Sequence, residues 1–221
     1  MIRTEIQFFG VNIDIQIQPA IALFEARLNE FSARLIDAET GFGFRPDQIR
    51  LKHSDILYGY ELTALFFGGN ASIQRTAERI ELRLTGGKTA PDSEVVMRTV
   101  EKFLRLLDMP ETTTVGVWAY GHSAFASAED ADRFFSCYTP AMADEAGLVV
   151  RGGALGFVKA PSWEHEIRIA VEPSAIFADG AFVSFNTSMA LSDADPTRLH
   201  TLSSMFASAS AAFGLEIVLL P

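Results

Sequence analysis

Val11-Asn12-Ile13-Asp14-Ile15-Gln16-Ile17-Gln18, followed by Pro19 and then by Ile21, Phe24, Leu28, Phe31 and Leu35 at three- and four-residue spacing, decides the fold class of this chain. The first eight residues place an apolar side chain at every second position, the signature of a strand with one face buried. The phase slips near Phe9-Gly10, which predicts a bulge or turn there. After Pro19 the period changes from two to about 3.6. Glu25, Arg27, Glu30 and Arg34 then fall opposite the apolar stripe, which predicts an amphipathic helix. Proline is tolerated in a first helical turn, and Gly41 and Gly43 mark the exit.

Working outward, three further strands are expected around residues 48–53, 57–67 and 72–84, with Gly68-Gly69-Asn70 as the hairpin signal between the last two. A second helix starts near Pro91-Asp92, aligns Val96, Val100, Phe103 and Leu107, and stops at Asp108-Met109-Pro110. From Thr112 the order begins again. A strand over 112–120 leads to a helix carrying Ala131, Phe135, Tyr138 and Met142 on one stripe. Strands follow at 147–151, 164–172 and 180–190, then a helix with Leu199, Leu202, Phe206, Ala209 and Phe213, and a closing strand over 215–220.

This pattern predicts an α+β fold made by internal duplication of a β-α-β-β-β-α unit, the copies spanning residues 1–110 and 111–221. Hairpin connections make the sheet mostly antiparallel, with helices packed on one side. Nothing near residue 110 has the composition of a flexible linker, and a unit with only two helices leaves sheet surface to hide. One continuous domain with a pseudo-two-fold axis is therefore expected.

The 221 residues, 48% hydrophobic and 21% charged, exclude a disordered or fibrous chain. Eighteen Phe against two Trp and four Tyr supply apolar volume with no polar tip to satisfy. The net charge of −10 argues against nucleic acid, whose phosphates demand clustered Lys and Arg. Residues 1–110 hold 13 basic and 15 acidic groups and residues 111–221 hold 5 and 13, so the second half carries −8 of the total. The one cysteine, Cys137, permits no internal disulfide, and no His or Lys beside it in sequence activates it. The first residues lack the apolar core of a secretory signal, and no run of about 18 uncharged apolar residues occurs. The expectation is a cytoplasmic protein with no membrane partner.

Glycine-rich stretches offer no cofactor loop. Gly86-Gly87-Lys88-Thr89 ends like a phosphate-binding loop, but Leu82 stands where its first Gly is required. Gly41-Phe42-Gly43 lacks the third Gly of a dinucleotide fingerprint. In Gly121-His122-Ser123-Ala124-Phe125 the closing Gly of a nucleophile elbow is Phe125. Four His and one Cys at these spacings suggest no metal site. No cofactor is expected, and no catalytic residue is assigned.

Seven residues remain as candidates for ligand binding. Trp118, Tyr120 and His122 alternate with Val115, Val117 and Ala119, leaving both faces of one strand apolar or aromatic, as at the centre of a covered sheet. Tyr58 and Tyr60 share a face of another strand. His53 lies two residues from Asp55, and His165 follows Trp163. Converging, these groups would form an aromatic cavity with a few hydrogen-bonding tips; apart, they are core and strand-end residues. Arg75, Arg79 and Arg83, with Ala77 and Glu81, read as one mixed-charge strand face. Three functions fit: a non-catalytic binding or assembly module contacting another protein or a second copy; a small-molecule binder with an apolar cavity between helices and sheet, walled by Trp118, Tyr120, Tyr58 and Tyr60; and an enzyme using His122 or the His53 and Asp55 pair as base. The duplication and the lack of motifs favour the first.

Overall fold

In the computed structural model, residues 2–17, 25–39, 41–53, 59–86, 93–106, 114–138, 152–159, 166–190 and 205–218 are described. They form strands β1 (Ile2–Gln16), β2 (Ile49–His53), β3 (Tyr60–Phe66), β4 (Ala71–Arg75), β5 (Arg79–Gly86), β6 (Thr114–Ala124), β7 (Ala154–Val158), β8 (Ile167–Pro173), β9 (Gly180–Ala190) and β10 (Leu215–Val218). Helices are α1 (Glu25–Ile36), α2 (Ser93–Arg105), α3 (Ala128–Ser136) and α4, described over residues 205–212. All ten strands join one sheet in the order β2-β3-β4-β5-β1-β6-β9-β8-β7, and β10 also pairs with β1. Every pairing is antiparallel except β1 with β10, where Ile2 to Glu5 run parallel to Leu215 to Val218. The fold is α+β with a large antiparallel sheet.

Strand β1 sits at the middle because it is long enough for three partners. Its edge toward β6 is paired from Glu5 to Ile15; its other edge is shared by β10, at Ile2 to Glu5, and β5, at Phe9 to Gln16. The alternation read from Val11 to Ile17 becomes burial: Ile13, Ile15 and Ile17 enter the core. The irregularity falls between Ile6 and Phe8, not at Phe9-Gly10, and sets Phe8 opposite His122. Gly10 remains in the ladder, paired with Thr85 and Tyr120.

The core lies on one face of the sheet. Ile13, Ile80, Leu82, Ile73, Leu62, Val117, Val183 and Ile169 line it from successive strands, and Leu28, Phe31 and Leu35 of α1, Val100 and Phe103 of α2, Phe134 and Phe135 of α3 and Ala209 of α4 meet them there. Phe206 of α4 stacks on Phe185 of β9 with centroids 4.5 Å apart. The helical stripes match their spacing, as Leu28, Phe31 and Leu35 are all buried. Leu107 of the expected α2 stripe, and Met142, Leu199 and Leu202 of the later ones, lie outside the described residues; Val96 falls within α2, and Leu106 is buried.

Two strand assignments differ from expectation. The stretch 72–84 is two strands, β4 and β5, turned by Ala77 and Glu78. Thr76 N–H donates to Arg79 O at 2.8 Å and Glu78 N–H to Thr76 Oγ1 at 3.3 Å. Neither turn residue takes a positive φ, so the hairpin needs no Gly or Asn. Four strands therefore separate α1 from α2, where the expected unit had three. The charged row divides accordingly: Arg75 lies on β4 with its guanidinium 4.7 Å from the Phe31 ring, whereas Arg79 and Arg83 belong to β5. Strand β7 at Ala154–Val158 was not anticipated, and the expected strand at 147–151 lies outside the described residues. The hairpin at Gly68-Gly69 is as expected, both glycines adopting positive φ.

One-sided burial has a direct consequence. Leu82→Ala, on the helix-covered face, should cost about 3 kcal/mol in urea unfolding, whereas Leu65→Ala, on the opposite face of β3, should cost less than about 1 kcal/mol.

Candidate functional site

Cross-strand register identifies the residues that share the face away from the helices. One row reads Phe157, Arg168, Asn186, Trp118, Asn12, Arg83, Ser72 and Leu65, and the next reads Leu155, Ala170, Ser184, Tyr120, Gly10 and Thr85. Phe182, His122 and Phe8 begin a third. Trp118 is 39% exposed, Leu155 57% and Phe157 64%, large apolar surfaces left open to solvent. Among the described residues the helices thus cover the centre of the sheet on one side only, contrary to the expectation for a strand apolar on both faces.

An aromatic cluster occupies that centre. Trp118 and Tyr120 have centroids 4.9 Å apart, Phe8 lies 6.3 Å from Tyr120 and 6.0 Å from His122, and Phe182 lies 6.1 Å from Tyr120 and 4.8 Å from His122. These are tilted and edge-on geometries in which aromatic pairs attract. Gly10 makes the arrangement possible. A Cβ there would stand 2.3 Å from Tyr120 Cζ, so the phenol ring lies directly over the bare backbone of β1. Burial raises the Tyr120 phenol above its ordinary pKa, opposed by the positive charge of Arg83.

His122 is fixed by a turn. Ser174 Oγ accepts the backbone N–H groups of Ile176 at 3.1 Å and Phe177 at 3.0 Å, and lies 2.9 Å from His122 Nδ1. With both lone pairs occupied, the Ser174 hydroxyl donates to Nδ1, and the imidazole carries its proton on Nε2. The pairing has the outline of a serine nucleophile and its base, but Ser174 Oγ has no lone pair free to attack. Among the described residues no carboxylate is hydrogen-bonded to His122, and no three His, Cys, Asp and Glu side chains gather as a metal site. Ser123 is buried within β6 and donates to Ala181 O, so Gly121 to Ala124 form the last residues of a strand rather than a nucleophile elbow.

Beyond the aromatic centre the face is charged. Glu81 is buried beneath Arg79 and Arg83, whose Nη2 atoms approach its Oε1 at 3.1 and 3.2 Å, and Arg79 Nε reaches Asp14 Oδ1 at 2.6 Å. By register the described charges of this face are nearly matched: Arg3, Arg50, Lys52, Arg79, Arg83 and Arg168 against Asp14, Glu61, Glu81, Glu172 and Glu216.

Of the seven candidates from sequence, Trp118, Tyr120 and His122 come together here. Tyr60 and His53 pair edge-on at 5.2 Å, but on the opposite face, Tyr60 sharing the phase of buried Leu62 on β3, four strands away from β6. Tyr58 and His165, with Asp55 and Trp163, lie outside the described residues. Trp118, Tyr120 and Tyr60 therefore share no wall between helices and sheet. Phe8 and Phe182 join the cluster without having been singled out, since in sequence they are two of eighteen Phe; only the pairing of β6 with its neighbours selects them. Among the described residues no helix is long and apolar enough to cross a membrane. Compared with known protein families and with curated proteins, the chain matches none.

Two outcomes test this geometry. Gly10→Ala should destabilise by at least about 1 kcal/mol in the native background and by nearly nothing beside Tyr120→Ala, the coupling being read by a double-mutant cycle. Burial also holds His122 below the ordinary histidine pKa. The unfolded chain then binds a proton the folded one refuses, so this group's contribution is complete above the histidine range and is lost as pH falls through it. Urea titrations between about pH 7.5 and 5 should show a shallower decline for His122→Gln than for the native protein.

Proposed function

We propose that this chain is a non-catalytic assembly module that acts through protein–protein contacts, with a second copy of itself as the partner on the open face of its sheet. The observation that carries this reading is the aromatic centre of the open face, where Trp118 is exposed and Tyr120, Phe8, His122 and Phe182 are half-buried around it, with exposed Leu155 and Phe157 further out on the same face. Contiguous apolar surface of this kind, rimmed by polar residues, marks an interaction site. Trp and Tyr supply rigid contact area with a hydrogen-bonding tip, the composition favoured at interface hot spots.

Size and charge favour a second copy. Nine strands about 4.8 Å apart make a face about 40 Å wide and 20 Å tall, close to the roughly 800 Å² per partner of a stable interface. The chain carries −10, yet six basic and five acidic described side chains occupy this face. Two copies meeting there keep their acidic surplus on the outer, helical surfaces, where mutual repulsion is weakest.

The two halves are also read as diverged copies of one unit, with β1, α1, β3, β4 and β5 answering to β6, α3, β7, β8 and β9. The matching neighbour relations β1-β5-β4-β3 and β6-β9-β8-β7, meeting at the antiparallel β1 and β6, support this. A chain built as a fused pair inherits surfaces suited to symmetric association.

Light scattering after size exclusion is the test. The expected mass is twice 24.2 kDa at tens of micromolar, with Trp118→Glu and Phe157→Glu each returning the chain to monomer. A native chain that stays at 24.2 kDa up to about 100 μM contradicts self-association. Dimerisation unaffected by either substitution places the contact elsewhere and contradicts the assignment of the face. A small aromatic ligand lodging against Trp118 and Tyr120 would instead quench tryptophan emission of the monomer.

A further inference from the structure

On the helix-covered side, at the junction of α1 and β4, an arginine is held in a setting that calls for an anion. Arg75 ends β4, paired with Leu62 and Ile80, and its guanidinium lies over the buried ring of Phe31 at 4.7 Å. Its Nε is buried and, among the described residues, has no acceptor. A half-buried guanidinium is ordinarily matched by a carboxylate, since desolvation without a counter-charge is costly. Among the described residues, the charges acting on Arg75 are mostly of its own sign. Arg27, Phe31 and Arg34 follow at i, i+4 and i+7 on α1, so the two arginines flank the ring that Arg75 covers. Glu30, the nearby acid, is exposed and turned to Arg34 at 3.4 Å. Burial, then repulsion by Arg34 and Arg27, lowers the affinity of Arg75 for its proton, with Glu30 only partly opposing.

We infer that Arg75, with Arg27 and Arg34 to either side, forms a binding site for a phosphate-type oxyanion at the α1–β4 junction. A tetrahedral oxyanion can accept from several guanidinium groups at once, which a single carboxylate with two oxygens does less well, and Arg is the side chain suited to that geometry. The site lies on the opposite face from the aromatic cluster and is independent of the assembly reading. It also places local positive charge on a chain that is acidic overall, so a small anion is drawn to this spot and not to the surface at large.

The test uses the full chain and inorganic phosphate, with sodium chloride at matched ionic strength and sodium acetate as parallel arms. Phosphate is expected to raise Tm by on the order of 3 °C, saturably, with acetate and chloride giving little. Arg75→Met should abolish the phosphate-specific shift. Because that substitution alters a half-buried position, Arg27→Gln, at an exposed site, serves as the second variant and should weaken phosphate binding about tenfold, equal to one unit in log Kd by isothermal titration. A shift equal to that from chloride, a shift kept by a folded Arg75→Met, or unchanged affinity in Arg27→Gln would each overturn the site. Stabilisation by acetate equal to that by phosphate overturns the assignment of ligand class.

Discussion

The ladder between β1 and β6 is the constraint from which the rest follows. Eleven-residue β6 and fifteen-residue β1 lie side by side at the centre of the sheet, and a strand has only two faces. Once Ile13 and Val117 point together into the helices, Asn12 and Trp118 must point together the other way, and every neighbouring strand inherits that division through its register. A slip of one residue would carry Trp118 and Tyr120 into the core and Val117 and Ala119 into water. The apolar stripes of four helices, all meeting one face, hold the register against such a slip.

That same constraint creates the surface to which function is assigned. The helices cover one face, so the aromatic residues of β6 are left on the other. They are organised there by small features of the backbone: the irregularity between Ile6 and Phe8 that brings Phe8 opposite His122, the absent side chain of Gly10 beneath Tyr120, and the Ser174 turn that fixes His122 in one tautomer. Each of these lowers the freedom of a half-buried ring before any partner arrives, which reduces what association must spend on ordering. The charged half of the face is likewise settled in advance, since Glu81 already holds Arg79 and Arg83 in place.

Much of the fold was legible in the sequence because the periods are strong. The helix carrying Leu28, Phe31 and Leu35, and the strand from Gly180 to Ala190, follow from spacing alone. The β4–β5 hairpin was not legible: Ile73, Arg75 and Ala77 keep the strand period straight into the turn, and Ala77-Glu78 turns with ordinary backbone angles, so no Gly, Pro or Asn announces it. Strand β7 was hidden for a different reason. Gly156 weakens its pattern locally, yet the Phe213 ring from beyond α4 occupies the place of its missing side chain, a contact no local reading supplies. Of the site, sequence gave the stripe Trp118, Tyr120 and His122 but not its direction, because both faces of β6 are apolar enough to be core. Nor could it separate Tyr60 and His53 from that stripe, since facing depends on which strands lie between.

Hydroxyl-radical footprinting read by mass spectrometry, across a dilution series, bears most directly on the open face. Oxidation of Trp118, Tyr120, Phe157 and Phe182 is expected to be strong in dilute solution and to fall as concentration rises, while Leu82, Phe103 and Phe135 stay protected throughout. Aromatic residues of β6 that resist oxidation at every dilution, or core-face residues that label as readily as they do, would contradict a sheet covered on one side and free to meet its partner on the other.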